Sequence, residues 1–172
     1  FFFLLSFFAF PVVGGSATLQ THSLKILNHS DPHVPDGLLP LLLPYGSIES
    51  IHLFPTPNAP LVVLIQDAHG IEEAQKNTAG ILAGLSDRPG VSLVGLEGAT
   101  GAFDFKPYRA WPNRDVTKQI ADSYMKEGYL GGTEFAAITL PTPPLVWGVE
   151  TQTLYLDNIR AYQVITLTVL AP

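Results

Sequence analysis

Apolar and polar residues change rhythm several times along the chain, and each rhythm predicts an element. Residues 47–54 (SIESIHLF) set Ile48, Ile51 and Leu53 against Glu49, Ser50 and His52. That near-alternation predicts a strand with His52 on its wet face. PTPNAP makes a turn, and LVVLIQ, starting at Leu61, is a continuous apolar run that predicts a second strand. From Ile71 the spacing lengthens: Ala74, Ile81, Leu82 and Leu85 recur with helical period among good helix formers. Glu72 and Glu73 open that helix, where its dipole favours acids, and Asp87-Arg88-Pro89-Gly90 ends it. VSLVGLE, residues 91–97, predicts a third strand. A loop rich in Gly, Phe, Pro, Tyr and Trp fills residues 98–114. Asp115 can then cap a helix to about Gly128, with Val116, Ile120, Tyr124 and Met125 as its apolar stripe. Gly131-Gly132 precedes a short helix over residues 133–138, PTPP follows, and LVWGVE, residues 145–150, predicts another strand. A helix over residues 151–162 presents Leu154, Leu156, Ile159 and Tyr162.

Apolar strands alternating with helices predict an α/β domain: a mostly parallel sheet covered by helices on both faces. Right-handed crossovers bring the carboxyl ends of parallel strands to one edge, where open α/β sheets bind ligands. Three apolar runs end on acids, as LVVLIQDAH, VSLVGLE and LVWGVE. Asp67, His69, Glu97 and Glu150 are therefore expected to converge, and they are the candidate catalytic residues.

The flanks read differently. FFFLLSFFAF followed by Pro11 and VVGGSA resembles the apolar core of a secretory signal with a small-residue cleavage site. The competing reading is a buried N-terminal strand or helix. Residues 1–17 are read as a signal-like segment, so the expected location is exported, periplasmic or extracellular, with no stable membrane span after signal removal. Residues 18–44 hold Pro32, Pro35, Pro40 and Pro44, which argue against regular structure and for an extended leader. His22, His29 and His33 fit no ligand spacing there. The α/β domain is assigned to residues 45–172. The missing initiator Met and the apolar close VITLTVLAP suggest a piece of a longer protein and an incomplete domain.

Composition narrows the chemistry. A formal net charge of −6 and the lack of any basic run argue against a nucleic-acid surface. With no cysteine in 172 residues, disulfides, thiolate metal sites and a cysteine nucleophile are excluded. VVGGSA lacks a lysine and GATGAF a third glycine, so neither is a phosphate loop. No Gly-x-Ser-x-Gly elbow is present. A His beside three carboxylates leaves two routes to hydrolysis of a small-molecule or peptide substrate. His69, Asp67 and Glu97 can bind a divalent metal that activates water. Alternatively His69 acts as general base beside a carboxylate, with no metal. Each acid can equally cap a helix or accept loop amides. Arg109 and Arg114 can clamp an anionic part of a substrate. Phe103, Phe105, Tyr108 and Trp111 can form a lid or anchor the loop.

LVVLIQDAHGIEEAQKNTAGILAGL followed by VSLVGLEG resembles the superfamily of erythromycin esterases, haem-binding iron-regulated lipoproteins and Tiki/TraB-type metalloproteases. In that pattern an acid-x-His ends a strand, a Glu follows early in the next helix, and a Glu ends the next strand. Asp67-Ala68-His69 stands at the first motif, Glu72 or Glu73 at the helix acid and Glu97 at the strand end, with GVE at 148–150 a looser match. Gln66 stands where the family carries Gly, and Asp67 is a methylene shorter than the family's Glu. The resemblance implies a site at the strand ends, with Glu73 facing substrate. It also implies three possible outcomes: a hydrolase with or without a divalent metal, a haem- or iron-binding module using His69 or Tyr108, or a vestigial scaffold.

Overall fold

The computed structural model describes residues 3–9, 35–52, 61–88 and 93–169, with side chains described for 35–51, 61–88 and 93–161. The architecture is mixed α/β. Strand β1 (Phe3–Ala9) lies at the centre of a three-stranded sheet. It pairs antiparallel with β2 (Ser47–His52) and parallel with β3 (Leu61–Asp67), so that Ala9 lies beside Asp67. Between β1 and β2 comes helix α1 (Leu38–Leu42), extended by a 3-10 turn over Leu43–Tyr45. The prolines of this stretch predicted an extended leader. A short helix forms instead because Pro40 sits in the first turn, where a backbone N–H has no intrahelical partner to lose. Leu38 and Leu42 become completely buried.

Helix α2 (Glu72–Ser86) joins the two halves of the fold. One side of it, Ile81 and Leu85, packs with Leu38 and Leu42 against Val63 and Ile65 of β3. The other side, Ala79 and Leu82, packs against Ala136, Phe135 and Val94. Gly80 and Gly84 carry Tyr45 and Leu41 so closely that a Cβ at either position would overlap those side chains.

The second sheet has the order β4 (Leu93–Leu96), β6 (Leu145–Val149), β5 (Thr100–Ala102), with β6 parallel to β4 and antiparallel to β5. Between β5 and β6 lie α3 (Lys106–Arg109), α4 (Arg114–Lys126) and α5 (Gly132–Thr139), and α6 (Gln152–Val169) follows β6. The expected single, mostly parallel sheet is thus not what the described residues form. Each three-stranded sheet has one parallel and one antiparallel pair, because β1 and β5, neither read as a strand in a βα repeat, each insert beside one.

Helices on both faces were also expected. In β6, Val146 and Gly148 are buried while Leu145, Trp147 and Val149 are exposed, and Leu93 on β4 is exposed on the same sheet. A continuous apolar run fits such a half-covered strand as well as a fully covered one.

Helix α4 is turned relative to the predicted stripe. Thr117, Ala121 and Met125 face inward, whereas Val116, Ile120 and Tyr124 are exposed. Its cap is Asn113, whose Oδ1 accepts from the amides of Asp115 and Val116 at 3.1 and 3.2 Å; Asp115, the expected cap, is in the first turn. Among the described residues no helix is long and apolar enough to cross a membrane. The proposed cleavage site and His22, His29 and His33 lie outside the described residues, as does the side chain of His52.

Candidate functional site

Strand β3 delivers Asp67 to the end of the sheet, and a tight turn carries His69 to α2. Ile71 N–H donates to the Ala68 carbonyl at 3.2 Å, and Gly70 takes the left-handed conformation with φ of 77°. Asp67 does not cap α2: the cap position is Ile71, with no side-chain bond. Its carboxylate turns instead to the side of that helix. Oδ2 accepts from Gln75 Nε2 at 3.0 Å and from Thr78 Oγ1 at 3.4 Å. Oδ1 lies 2.6 Å from His69 Nδ1. The Asp67 side chain is 12% exposed and the His69 side chain 86%. The Nδ1–Oδ1 contact is short but outside hydrogen-bond alignment, so buried Oδ1 has no hydrogen-bond partner.

These residues form part of the wall of an open crevice of about 460 Å³. Its lining joins Asp67 and His69 from the end of β3 with Glu97 and Gly98 after β4, and with Gly131 to Glu134 at the start of α5. Phe103 and Tyr155 supply aromatic surface. Phe103 stacks on Phe105 with ring centroids 5.6 Å apart, so this part of the loop is a wall; Tyr108 and Trp111 are largely exposed and are not among the lining residues.

The predicted site residues divide. His69, Asp67 and Glu97 share the crevice. Glu150 stands behind it: its amide donates to the Ala99 carbonyl at 2.9 Å and its Oε1 accepts from Gly98 N–H at 3.3 Å. It therefore secures the turn that carries Glu97. Glu73 is exposed on α2 and is not a lining residue, and its neighbour Glu72 pairs with Lys76 at 2.6 Å.

Arg109 and Arg114 are not at the crevice. Arg109 donates to the carbonyls of Ala137, Ile138, Leu140 and Pro141 at 2.8–3.2 Å, and Arg114 to those of Ile138 and Thr139. Both guanidinium groups close the carboxyl end of α5, opposite the end that lines the crevice, so they serve the helix rather than a substrate. Burial, and then the charge of Arg114, lowers the pKa of Arg109 from its ordinary value.

The donors do not fit a metal. Among the described residues no group of three or more His, Cys, Asp or Glu side chains gathers closely enough to hold an ion. The expected set of His69, Asp67 and Glu97 lines one crevice without converging on one point.

Sequence reading missed Gln75, Thr78 and Gly132. Gln75 is 8% exposed, bonded at one end to Asp67 and at the other, through Oε1, to Gly132 N–H at 2.8 Å. A signal was present: Gln75 and Thr78, three apart, fall on the same side of α2 among Ala74, Ala79 and Leu82. Polar groups on an apolar face need partners.

Comparison of the chain with family models, with curated proteins and with solved structures yields no match.

Proposed function

We propose that the chain is a hydrolase in which His69, oriented by Asp67, is the general base. The observation that carries this reading is the contrast within one contact: a buried carboxylate 2.6 Å from Nδ1 of an almost fully exposed imidazole. With Nδ1 turned to Asp67, Nε2 is the nitrogen left to take a proton from water. The water oxygen attacks the acyl carbon of an ester or amide, its proton passes to Nε2, and Asp67 stabilises the imidazolium. The leaving group departs with that proton, which restores neutral His69. Glu97, on the wall of the same crevice, orients the water or the substrate. No step passes through a metal, because the donor set does not fit one.

The acid-x-His at the end of β3 and the Glu after β4 also support a relationship to the erythromycin esterase, haem-binding lipoprotein and Tiki/TraB-type superfamily, and we propose that relationship on those residues alone. Export on the strength of the apolar run at residues 1–10 is the competing proposal for that segment, since a cleaved signal could not also supply strand β1.

The test is hydrolysis of a panel of p-nitrophenyl esters and peptide amides by the wild type, His69→Gln and Asp67→Asn. His69→Gln is expected to lose roughly 10²- to 10⁴-fold in rate, the usual worth of a positioned base. Asp67→Asn should fall less. Equal turnover by wild type and His69→Gln would reject His69 as the base, and a panel with no turnover at all would reject the hydrolase reading.

A further inference from the structure

We infer that Gln75 is a positioning residue for the His69–Asp67 pair, an inference that rests on the general-base reading above. The geometry fixes which way its amide points. A backbone N–H can only donate, so the bond from Gly132 N–H at 2.8 Å identifies the facing atom of Gln75 as the carbonyl oxygen Oε1. The NH₂ group is then forced toward Asp67, where it donates to Oδ2 at 3.0 Å. Thr78 Oγ1 adds a longer contact to the same oxygen. With Oδ2 occupied from the side of α2, Oδ1 is the oxygen turned to His69 Nδ1.

A chain of contacts therefore runs from the first residue of α5 through Gln75 and Asp67 to the imidazole. Gln75 is 8% exposed and its bond to Gly132 N–H is buried, so water reaches that bond only by entering the packing between α2 and α5. Its consequence is chemical. Asp67 Oδ1 stands 2.6 Å from Nδ1 with no other hydrogen-bond partner, so a small turn of the exposed imidazole makes it the acceptor for an Nδ1–H and leaves Nε2 as the base. If Asp67 swings, that preference goes.

The test reads the tautomer directly, without a substrate. Long-range proton–nitrogen correlation spectra are recorded on the full ¹⁵N-labelled chain above the imidazole titration, with the His69 signals identified by their disappearance in His69→Gln. Wild type is expected to show the Nδ1–H tautomer. Asp67→Asn and Gln75→Leu are both expected to lose it, with turnover in Gln75→Leu down about 10- to 100-fold, as for a small misplacement of a catalytic group. Retention of the Nδ1–H tautomer in Gln75→Leu, together with its loss in Asp67→Asn, would overturn the role of Gln75 and leave the His69–Asp67 pair standing. Absence of that tautomer in wild type would overturn the pair itself, and the inference with it. Should Gln75→Leu fail to fold by circular dichroism, Gln75→Glu takes its place. It keeps an acceptor for Gly132 N–H but turns a carboxylate on Asp67, so the tautomer should again be lost, and its retention would count against Gln75.

Discussion

Gly132→Ala separates what the structure says from what helix propensity says, because the two give opposite signs. Gly132 opens α5 against the middle of α2. A Cβ there would stand 2.2 Å from the Gln75 carbonyl oxygen and 2.8 Å from the Thr78 Cβ. An ordinary carbon–oxygen contact is about 3.3 Å, so α5 must withdraw by about 1 Å. Backbone cannot swing aside as a flexible side chain can, and overpacking of this kind costs about 1–3 kcal/mol. The same withdrawal stretches the 2.8 Å bond from Gly132 N–H to Gln75 Oε1 beyond bonding range. Leaving those buried groups unmatched adds about 1–3 kcal/mol. Against this, alanine is favoured over glycine in a helix by up to about 1 kcal/mol, and less in the first turn. The net expectation is a loss of about 1–6 kcal/mol, read as a lower urea midpoint at unchanged slope by circular dichroism. A midpoint equal to or above that of the wild type would mean that α2 and α5 do not approach as closely as described, and the path from Gly132 to Gln75 would go with it.

Arg109→Ala should destabilise by about 2 kcal/mol, since several carbonyls at the end of α5 lose a charged donor, and Arg109→Lys should recover less than half because an ammonium cannot fork across them. Neither Arg109 variant should change the KM of any ester the wild type turns over, whereas a substrate clamp would. The hydrogen bond that Lys126 donates to Asp122 lowers the pKa of the carboxyl and raises that of the lysine. Stability from the depressed carboxyl is present above the ordinary carboxylate range and lost as pH falls through the folded value; that from the lysine is present below its ordinary value and lost as pH rises through the raised one. Asp122→Asn should flatten both flanks of a stability–pH curve, and an unaltered acid flank would show the pair to be silent. Deleting residues 1–17 removes β1, so the shortened chain should fail to fold if β1 is an integral strand, whereas a cooperative unfolding transition in the shortened chain would support the signal-segment reading.

The local rhythm of the chain proved legible where one face met one core. β3 and α2 begin and end within a residue or so of the predicted positions, since the apolar run at 61–65 and the 3.6 spacing of Ala74, Ile81 and Leu82 admit few alternatives. The face of α4 was misread because its large apolar residues were taken as the buried stripe: of Val116, Ile120, Tyr124 and Met125 the helix buries Met125 alone, and Thr117 and Ala121 share the inner side with it. β5 is three residues of Thr, Gly and Ala, with no apolar pattern to betray it; its partner β6 makes it a strand. At the candidate site, Asp67, His69 and Glu97 line one crevice, but not for the reason the sequence offered: β3 and β4 belong to different sheets, so no common parallel-sheet edge gathers them. Gln75 could not be placed, since its partner Gly132 lies 57 residues away and a glycine advertises nothing about what approaches it.

Helix α2 belongs to both apolar clusters, and Ile65 touches each of them. Neither sheet can therefore loosen without disturbing the same fifteen-residue helix. The two sheets share no strand, yet heat or urea should not melt them in separate steps. Calorimetric and van't Hoff enthalpies should agree, and a lesion on either side of α2, at Leu38 or at Ala136, should lower the same single transition.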